Sequence, residues 1–308
     1  MQRNDMIHLH SINKCIFITL TTLFSTQIIP ANLPIVLVHG ILADDHAMIP
    51  TKKYIQKYLP CVYVKSIKLG ESALTSLYNM HDQAALLKKE MEKDKRLRNG
   101  CIMIGHSQGG LVARYFIEKY NNPRVYVYIS WGTPQGGIFG APGLIDQRFA
   151  WLQLIQQSCH KLAYSYLMQK FVSFAGYWKD PLHYAIYLQK CKFLPYINNE
   201  IDHADAELFK KNICSLATMV LVQSTLEDIV DPAISSHFGF YIPGSIHDNE
   251  LLFDSEWYQS DKLGLKTLAE SGRLHLKFAH CFHSDFQEDE YNFIENTLPY
   301  LSYQVPVA

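Results

Sequence analysis

The sequence contains no Asn-x-Ser/Thr acceptor, so N-glycosylation, and any sorting that depends on it, is not expected. Nor does either sign of charge dominate. Lys and Arg number 28 against 29 Asp and Glu, a formal net charge of -1, and no long run of like charge occurs. That balance excludes a basic face able to hold a nucleic-acid backbone. No internal repeat or low-complexity tract is present, which excludes the stacked-repeat architectures. Long apolar runs are missing too: after residue 31 no segment is long and apolar enough for a membrane-spanning helix.

What remains is the composition of one large mixed domain. With 308 residues, 48% hydrophobic and 13% aromatic, the chain can bury a full core. Residues 1–31 read as a signal peptide. Arg3 and Lys14 precede the apolar run Cys15–Phe24, which is too short to cross a bilayer, and small residues follow near Ser25 and Ala31. The mature domain is then 32–308, soluble in the secretory system. Without Cys15, six of the seven cysteines remain, allowing fifteen pairings. Cys101 and Cys214 lie at strands and read as buried thiols. Cys159 and Cys191 fall in a helical, loop-rich stretch that would gain from a crosslink, and are the expected disulfide pair.

Strands and helices alternate along the chain. Pro34–Val38, Val62–Ile67, the run ending at Ile104, Arg124–Ser130, Thr218–Gln223 and Leu274–Ala279 read as strands. Helices are expected at about 48–58, 79–97 and 288–297, and from about 141 to 212 the pattern turns helical and aromatic. This order predicts an α/β, mostly parallel, doubly wound sheet interrupted by a helical cap.

Chemistry concentrates where the third strand ends. Cys101–Ile104 runs into Gly105-His106-Ser107-Gln108-Gly109 and then an amphipathic helix, a G-x-S-x-G turn in a strand–turn–helix context. A serine on so sharp a turn needs small residues two before and two after it, and Gly105 and Gly109 supply them. Ser107 is therefore the candidate nucleophile. The N–H of Gln108 at the helix start, and that of Ile41 after the His39-Gly40 turn, are the candidate oxyanion donors. A serine hydroxyl needs an imidazole to take its proton and a carboxylate to orient that imidazole. Both should follow strands late in the chain, in the order acid then histidine. Thr218–Gln223 opens into an acidic loop holding Glu227, Asp228 and Asp231, and Leu274–Ala279 opens into His280-Cys281-Phe282-His283. His283 is the expected base, with His280 as the alternative. No second ligand cluster matches His280, Cys281 and His283, so no metal is expected.

With these residues in place, the chain resembles the palmitoyl-protein thioesterase family, lysosomal α/β-hydrolases that remove long-chain fatty acyl groups from cysteine thioesters. The resemblance runs from about Pro34 to Tyr300. It is carried by Val38-His39-Gly40, Gly105–Gly110, Gln135–Gly140, Tyr177-Trp178-Lys179-Asp180-Pro181, Ile229-Val230-Asp231-Pro232, His237–Tyr241 and Leu263–Lys266. Hydrolase chemistry in general requires neither the Y-W-x-D-P nor the F-G-F-Y segment, so these are the specific ones. The resemblance implies an α/β-hydrolase fold, Ser107 as nucleophile and His283 as base. It further implies a fatty-acylated protein or peptide substrate, no cofactor, and a lysosomal, vacuolar or secreted location. A monomer is expected. One position departs: the family's catalytic aspartate falls on Glu227, with Asp228 one step later, and either can be the acid. The large apolar residues of the cap, including Tyr166, Leu167, Phe171, Phe174, Tyr177 and Trp178, include candidates for an acyl groove, the rest packing the cap onto the sheet. A lipase or carboxylester hydrolase with the same triad is the alternative activity, and an acyl-binding protein with an impaired triad is the third class.

Overall fold

The computed structural model describes residues 32–70, 73–140 and 161–303. The expected signal peptide, the first part of the expected cap (141–160) and Cys159 lie outside the described residues. The strands are β1 (Ile35–Val38), β2 (Val64–Ser66), β3 (Cys101–His106), β4 (Val125–Trp131), β5 (Thr218–Ser224), β6 (Phe240–Tyr241), β7 (Asn249–Glu250) and β8 (Leu274–Ala279). Six form one sheet in the order β2-β1-β3-β4-β5-β8, every neighbouring pair parallel. β6 and β7 make a separate antiparallel pair that no sequence pattern announced.

Alternation along the strands builds two cores. Val36, Val38, Met103, Tyr128, Met219 and Leu221 face one side, where α2 (Met80–Lys93) and α3 (Gln108–Lys119) pack. Ile35, Leu37, Ile102, Ile104, Val220 and Val222 face the other, against Ile55 of α1 (Ile49–Tyr58) and Phe293 of the helix Glu290–Asn296. Because both faces are covered, a central strand is buried at every position, which is why β1 and the Cys101–Ile104 part of β3 read as continuous apolar runs. α3 is buried from Gln108 through Glu118, including the ion pair Arg114–Glu118 at 2.9 Å. Arg114 also donates to the Asn198 side chain at 2.7 Å and to the Ile197 carbonyl at 3.3 Å, tying α3 to the segment before β5.

Several boundaries moved for local reasons. The helix expected over 79–97 ends at Lys93, because Asp94 adopts an extended backbone and its carboxylate accepts the Arg96 N–H, starting a separate turn at Lys95–Leu97. The last helix is trimmed to Glu290–Asn296, begun by Asp289 accepting the Asn292 N–H. The described part of the cap, 161–212, is short helices as expected: Tyr166–Phe171, Tyr184–Lys190, Leu194–Ile197 and the start of Ala206–Cys214. Its large apolar residues divide. Phe174, Tyr177 and Trp178 are buried, whereas Tyr166, Leu167 and Phe171 stand out into solvent.

Of the expected pair Cys159 and Cys191, only Cys191 lies among the described residues. Cys191 is a free, buried thiol that donates to the Gly176 carbonyl at 3.1 Å, and burial pushes its pKa up to about 12. Held inward among core residues such as Tyr187 and Phe193, it is already committed to packing.

Candidate active site

β1 is followed by β2 on one side of it, and the chain then returns past β1 to lay down β3, β4, β5 and β8 on the other. The direction therefore reverses between β1 and β3, and the loops leaving the C-terminal ends of those two strands flank the crevice that such a reversal opens. Ser107 follows β3 and Ile41 follows β1.

Ser107 sits at φ 53° and ψ -129°, a left-handed conformation unusual for a residue with a side chain. Its N–H is held by the Trp131 carbonyl at 2.8 Å, and its carbonyl accepts the Gly110 N–H at 3.0 Å. The flanking glycines are sterically required. A Cβ on Gly105 would stand 2.5 Å from the Gly110 Cα, and one on Gly109 would collide with the His39 carbonyl oxygen. Strand, turn and helix are thus pressed together with no room for a methyl group. Gly40 brings the β1 loop equally close: a Cβ there would lie 3.1 Å from the Ser107 Cβ. Neither the Ile41 nor the Gln108 N–H makes a hydrogen bond among the described residues, so both remain available beside the serine.

His283 opens a short turn after β8 and is buried, 5% exposed. Its Nδ1 faces the Glu227 carboxylate, with contacts of 2.8 Å to Oε1 and 3.1 Å to Oε2. Glu227 is itself fixed, Oε1 accepting the N–H groups of Ile229 at 3.0 Å and Val230 at 2.9 Å. Asp228 engages the same histidine differently, its Oδ1 accepting the His283 backbone N–H at 3.1 Å. Asp231 accepts the Tyr241 hydroxyl at 2.7 Å and takes no part in this cluster. His280 is exposed and pairs with the Thr225 hydroxyl at 2.8 Å, away from both carboxylates. Gly132, at φ 51°, closes the end of β4 onto the imidazole, where a Cβ would come within 3.0 Å of Nδ1 and Cε1. Among the described residues no hydrogen bond joins the Ser107 hydroxyl to His283, a link that commonly tightens only when substrate is bound.

Two supports escaped the reading of the sequence. His106 lies beneath the site, Nε2–H donating to the His283 carbonyl at 3.0 Å and Nδ1 accepting from the Gln287 amide at 2.5 Å. Full burial, reinforced by the nearby His283, pushes its pKa down to about 3 and keeps it neutral. Ser76 is the second. Its hydroxyl accepts the Leu42 N–H at 2.6 Å, and its carbonyl accepts side-chain amides from Gln83 at 2.8 Å and Gln108 at 2.7 Å. Gln108 Oε1 in turn accepts the Tyr177 hydroxyl at 2.9 Å. One buried network therefore joins the loop after β1, the start of α3 and the cap. The only sequence signal for His106 was its place inside the G-x-S-x-G turn; Ser76, in an unpatterned segment, had none.

The sequence profile of the family described as palmitoyl protein thioesterase matches residues 34–283. The chain is 37% identical over 278 residues to palmitoyl-protein thioesterase 3 of Dictyostelium discoideum, covering 89% of this chain and 94% of that protein. It is 32% identical over 252 residues to palmitoyl-protein thioesterase 1 of Caenorhabditis elegans, covering 79% and 84%. To the human lysosomal thioesterase PPT2 it is 29% identical over 245 residues, 78% of each chain. Among solved structures, the mature lipase BlEst2 of Bacillus licheniformis superposes with a TM-score of 0.50 at 15% identity, covering 89% of this chain and 94% of that one. That likeness shows the fold alone, an α/β architecture built on the parallel six-stranded sheet.

Proposed function

This chain belongs to the palmitoyl protein thioesterase family, and from that premise we propose that it hydrolyses the thioester joining a long-chain acyl group, such as palmitoyl, to a cysteine of a protein or peptide. Ser107 is the nucleophile, His283 the general base and acid, and Glu227 the orienting carboxylate. The observation that carries this assignment is the Glu227 carboxylate on His283 Nδ1, in a site where Ser107 occupies a strained turn. A carboxylate at Nδ1 fixes the tautomer that leaves Nε2 free to take a proton, and stabilises the imidazolium once formed.

In the first half-reaction the Ser107 oxygen attacks the acyl carbonyl carbon while its proton passes to His283 Nε2. The oxyanion is received by the N–H groups of Ile41 and Gln108. As the tetrahedral intermediate collapses, the carbon–sulfur bond breaks and the imidazolium returns its proton to the cysteine sulfur. Water then attacks the acyl-serine, giving His283 a proton that it passes to the serine oxygen, and the fatty acid leaves. Asp228 positions the turn through the His283 N–H and is not a reacting group. The triad comes from one chain, so a monomer is sufficient.

We further propose that 1–31 is removed as a leader and that the cap opens just after Gly140 within a single domain spanning 32–308. A lysosomal destination is supported by the names of relatives such as the human one. Among the described residues no helix is long and apolar enough to cross a membrane. The test is turnover of matched palmitoyl thioester and palmitoyl oxygen-ester substrates, with fluorophosphonate labelling. Thioester cleavage that Ser107→Ala abolishes, together with loss of labelling, is the expected result. Full activity in that variant, or turnover confined to the oxygen ester, would refute the reading.

A further inference from the structure

The cap carries an outer face that the hydrolase chemistry does not use. Tyr166, Leu167 and Phe171 on the helix Tyr166–Phe171 are 73%, 65% and 56% exposed. Leu74 and Tyr78, on the segment that leads to Asn79, are also exposed. The two segments are joined by the Asn79 side chain donating to the Lys170 carbonyl at 3.1 Å and the Ser173 N–H donating to the Leu77 carbonyl at 2.9 Å. Large apolar side chains gathered on one face mark a surface that meets something apolar.

Charge says what that something is. Beside the apolar residues lies a shallow depression of about 530 Å³, lined among the described residues by Tyr164, Tyr166, Gln169, Lys170, Lys190 and Lys192, three lysines and no carboxylate. The rims are pinned together, since the Lys192 N–H donates to the Gln169 side chain at 2.8 Å. None of the three ammonium groups is in an ion pair among the described residues. Lys170 instead lies over the Tyr166 and Phe171 rings, 5.4 and 5.2 Å from their centroids. In a chain whose formal charge is only -1, this is a local concentration of positive charge.

We propose that this face is a peripheral docking surface for an anionic lipid bilayer. Lys170, Lys190 and Lys192 hold lipid phosphates, and Tyr166, Leu167 and Phe171 enter the boundary between headgroups and acyl chains. Apolar insertion and basic attraction together give reversible surface binding, which neither gives alone. Three lysines without an ion-pair partner among the described residues, set beside exposed apolar side chains, match the phosphates and acyl boundary of such a bilayer in one surface. Docking here would bring the cap against the membrane that holds the acyl chains of S-acylated proteins.

The experiment is co-sedimentation of the purified protein with phosphatidylcholine vesicles, with and without phosphatidylserine, across a salt series. Binding should require phosphatidylserine and weaken with salt. Joint replacement of Lys170, Lys190 and Lys192 by Gln should lower partitioning on the order of 100-fold. Leu167→Ser with Phe171→Ser should also release the protein. Both variants should keep the wild-type melting temperature and turnover of a soluble short-chain thioester, readouts independent of lipid. Failure of the wild-type protein to bind anionic vesicles, or equal binding by the lysine variant, would overturn the proposal. So would self-association abolished by the Leu167 and Phe171 changes in a protein that ignores vesicles, because a second copy would then be the occupant.

Discussion

Two adjacent carboxylates touch the same histidine, and only one can govern its ring. Glu227 reaches Nδ1 while Asp228 takes the backbone N–H, so an amide substitution has different consequences at each. Glu227→Gln removes the charge that stabilises the imidazolium, and turnover should fall by something on the order of 10⁴. Asp228→Asn keeps an acceptor oxygen for the N–H, so the loss should stay within about tenfold. Glu227→Asp, shortened by one methylene, should fall between the two. Steady-state kinetics on one thioester substrate decides, and equal losses in the two amide variants would mean that the ring contact is not the important one. The sequence placed both residues in the right loop but left the choice open. A shift of one position moves either acid toward the histidine, and only folded loop geometry decides which side chain turns to the ring and which to the backbone.

The elements were legible where burial is two-sided and less so where a single side chain sets a boundary. β1 and β3 are buried at every position because both faces are covered, and the continuous apolar runs Ile35–Val38 and Cys101–Ile104 that result are easily recognised. The end of α2 depends on the Asp94 carboxylate choosing the Arg96 N–H, which periodicity does not record. Cys191 shows the same limit, since a helical setting said nothing of whether the thiol points into the core or toward a partner. Contacts across long sequence separations were least visible. The Leu42 N–H is 34 positions from the Ser76 hydroxyl that holds it. Leu42 is left-handed at φ 54°, and its peptide follows directly on Ile41, so the Ser76 hydrogen bond positions the proposed oxyanion donor. Ser76→Ala should lower kcat about tenfold to a hundredfold by leaving that N–H unsatisfied, with KM little changed. Ser76→Thr, which restores the hydroxyl, should recover most of the loss. If KM rises and kcat holds, Ser76 supports substrate binding rather than the oxyanion loop.

For the molecule as a whole, burial of imidazoles ties stability to pH. His39, His81, His106, His203, His237 and His275 all have pKa values lowered chiefly by burial, so the folded chain binds fewer protons than the unfolded one on moderate acidification. Asp261 is also lowered, by hydrogen bonds from Thr267 and Lys210 that outweigh its burial, and it adds to acid sensitivity at the carboxylate end of the range. Burial raises Glu118 to about 8 despite Arg114, which acts in the opposite sense, so one residue must be isolated to test the argument. His106 is the choice, being fully buried and displaced from 6.5 to about 3. A histidine depressed in the folded state imposes no penalty above its unfolded value. Below that value the penalty grows until the folded value is reached. The predicted loss of stability from this residue between about pH 7 and about pH 4 is about 3 kcal/mol. His106→Gln removes the titration while keeping an amide able to meet the His283 carbonyl or Gln287. Its denaturant-derived stability should therefore start below wild type near neutrality, where packing is lost, and decline less steeply with acid, so that the two curves converge. Parallel curves across that interval would show that His106 is not the titrating group that couples this fold to acid.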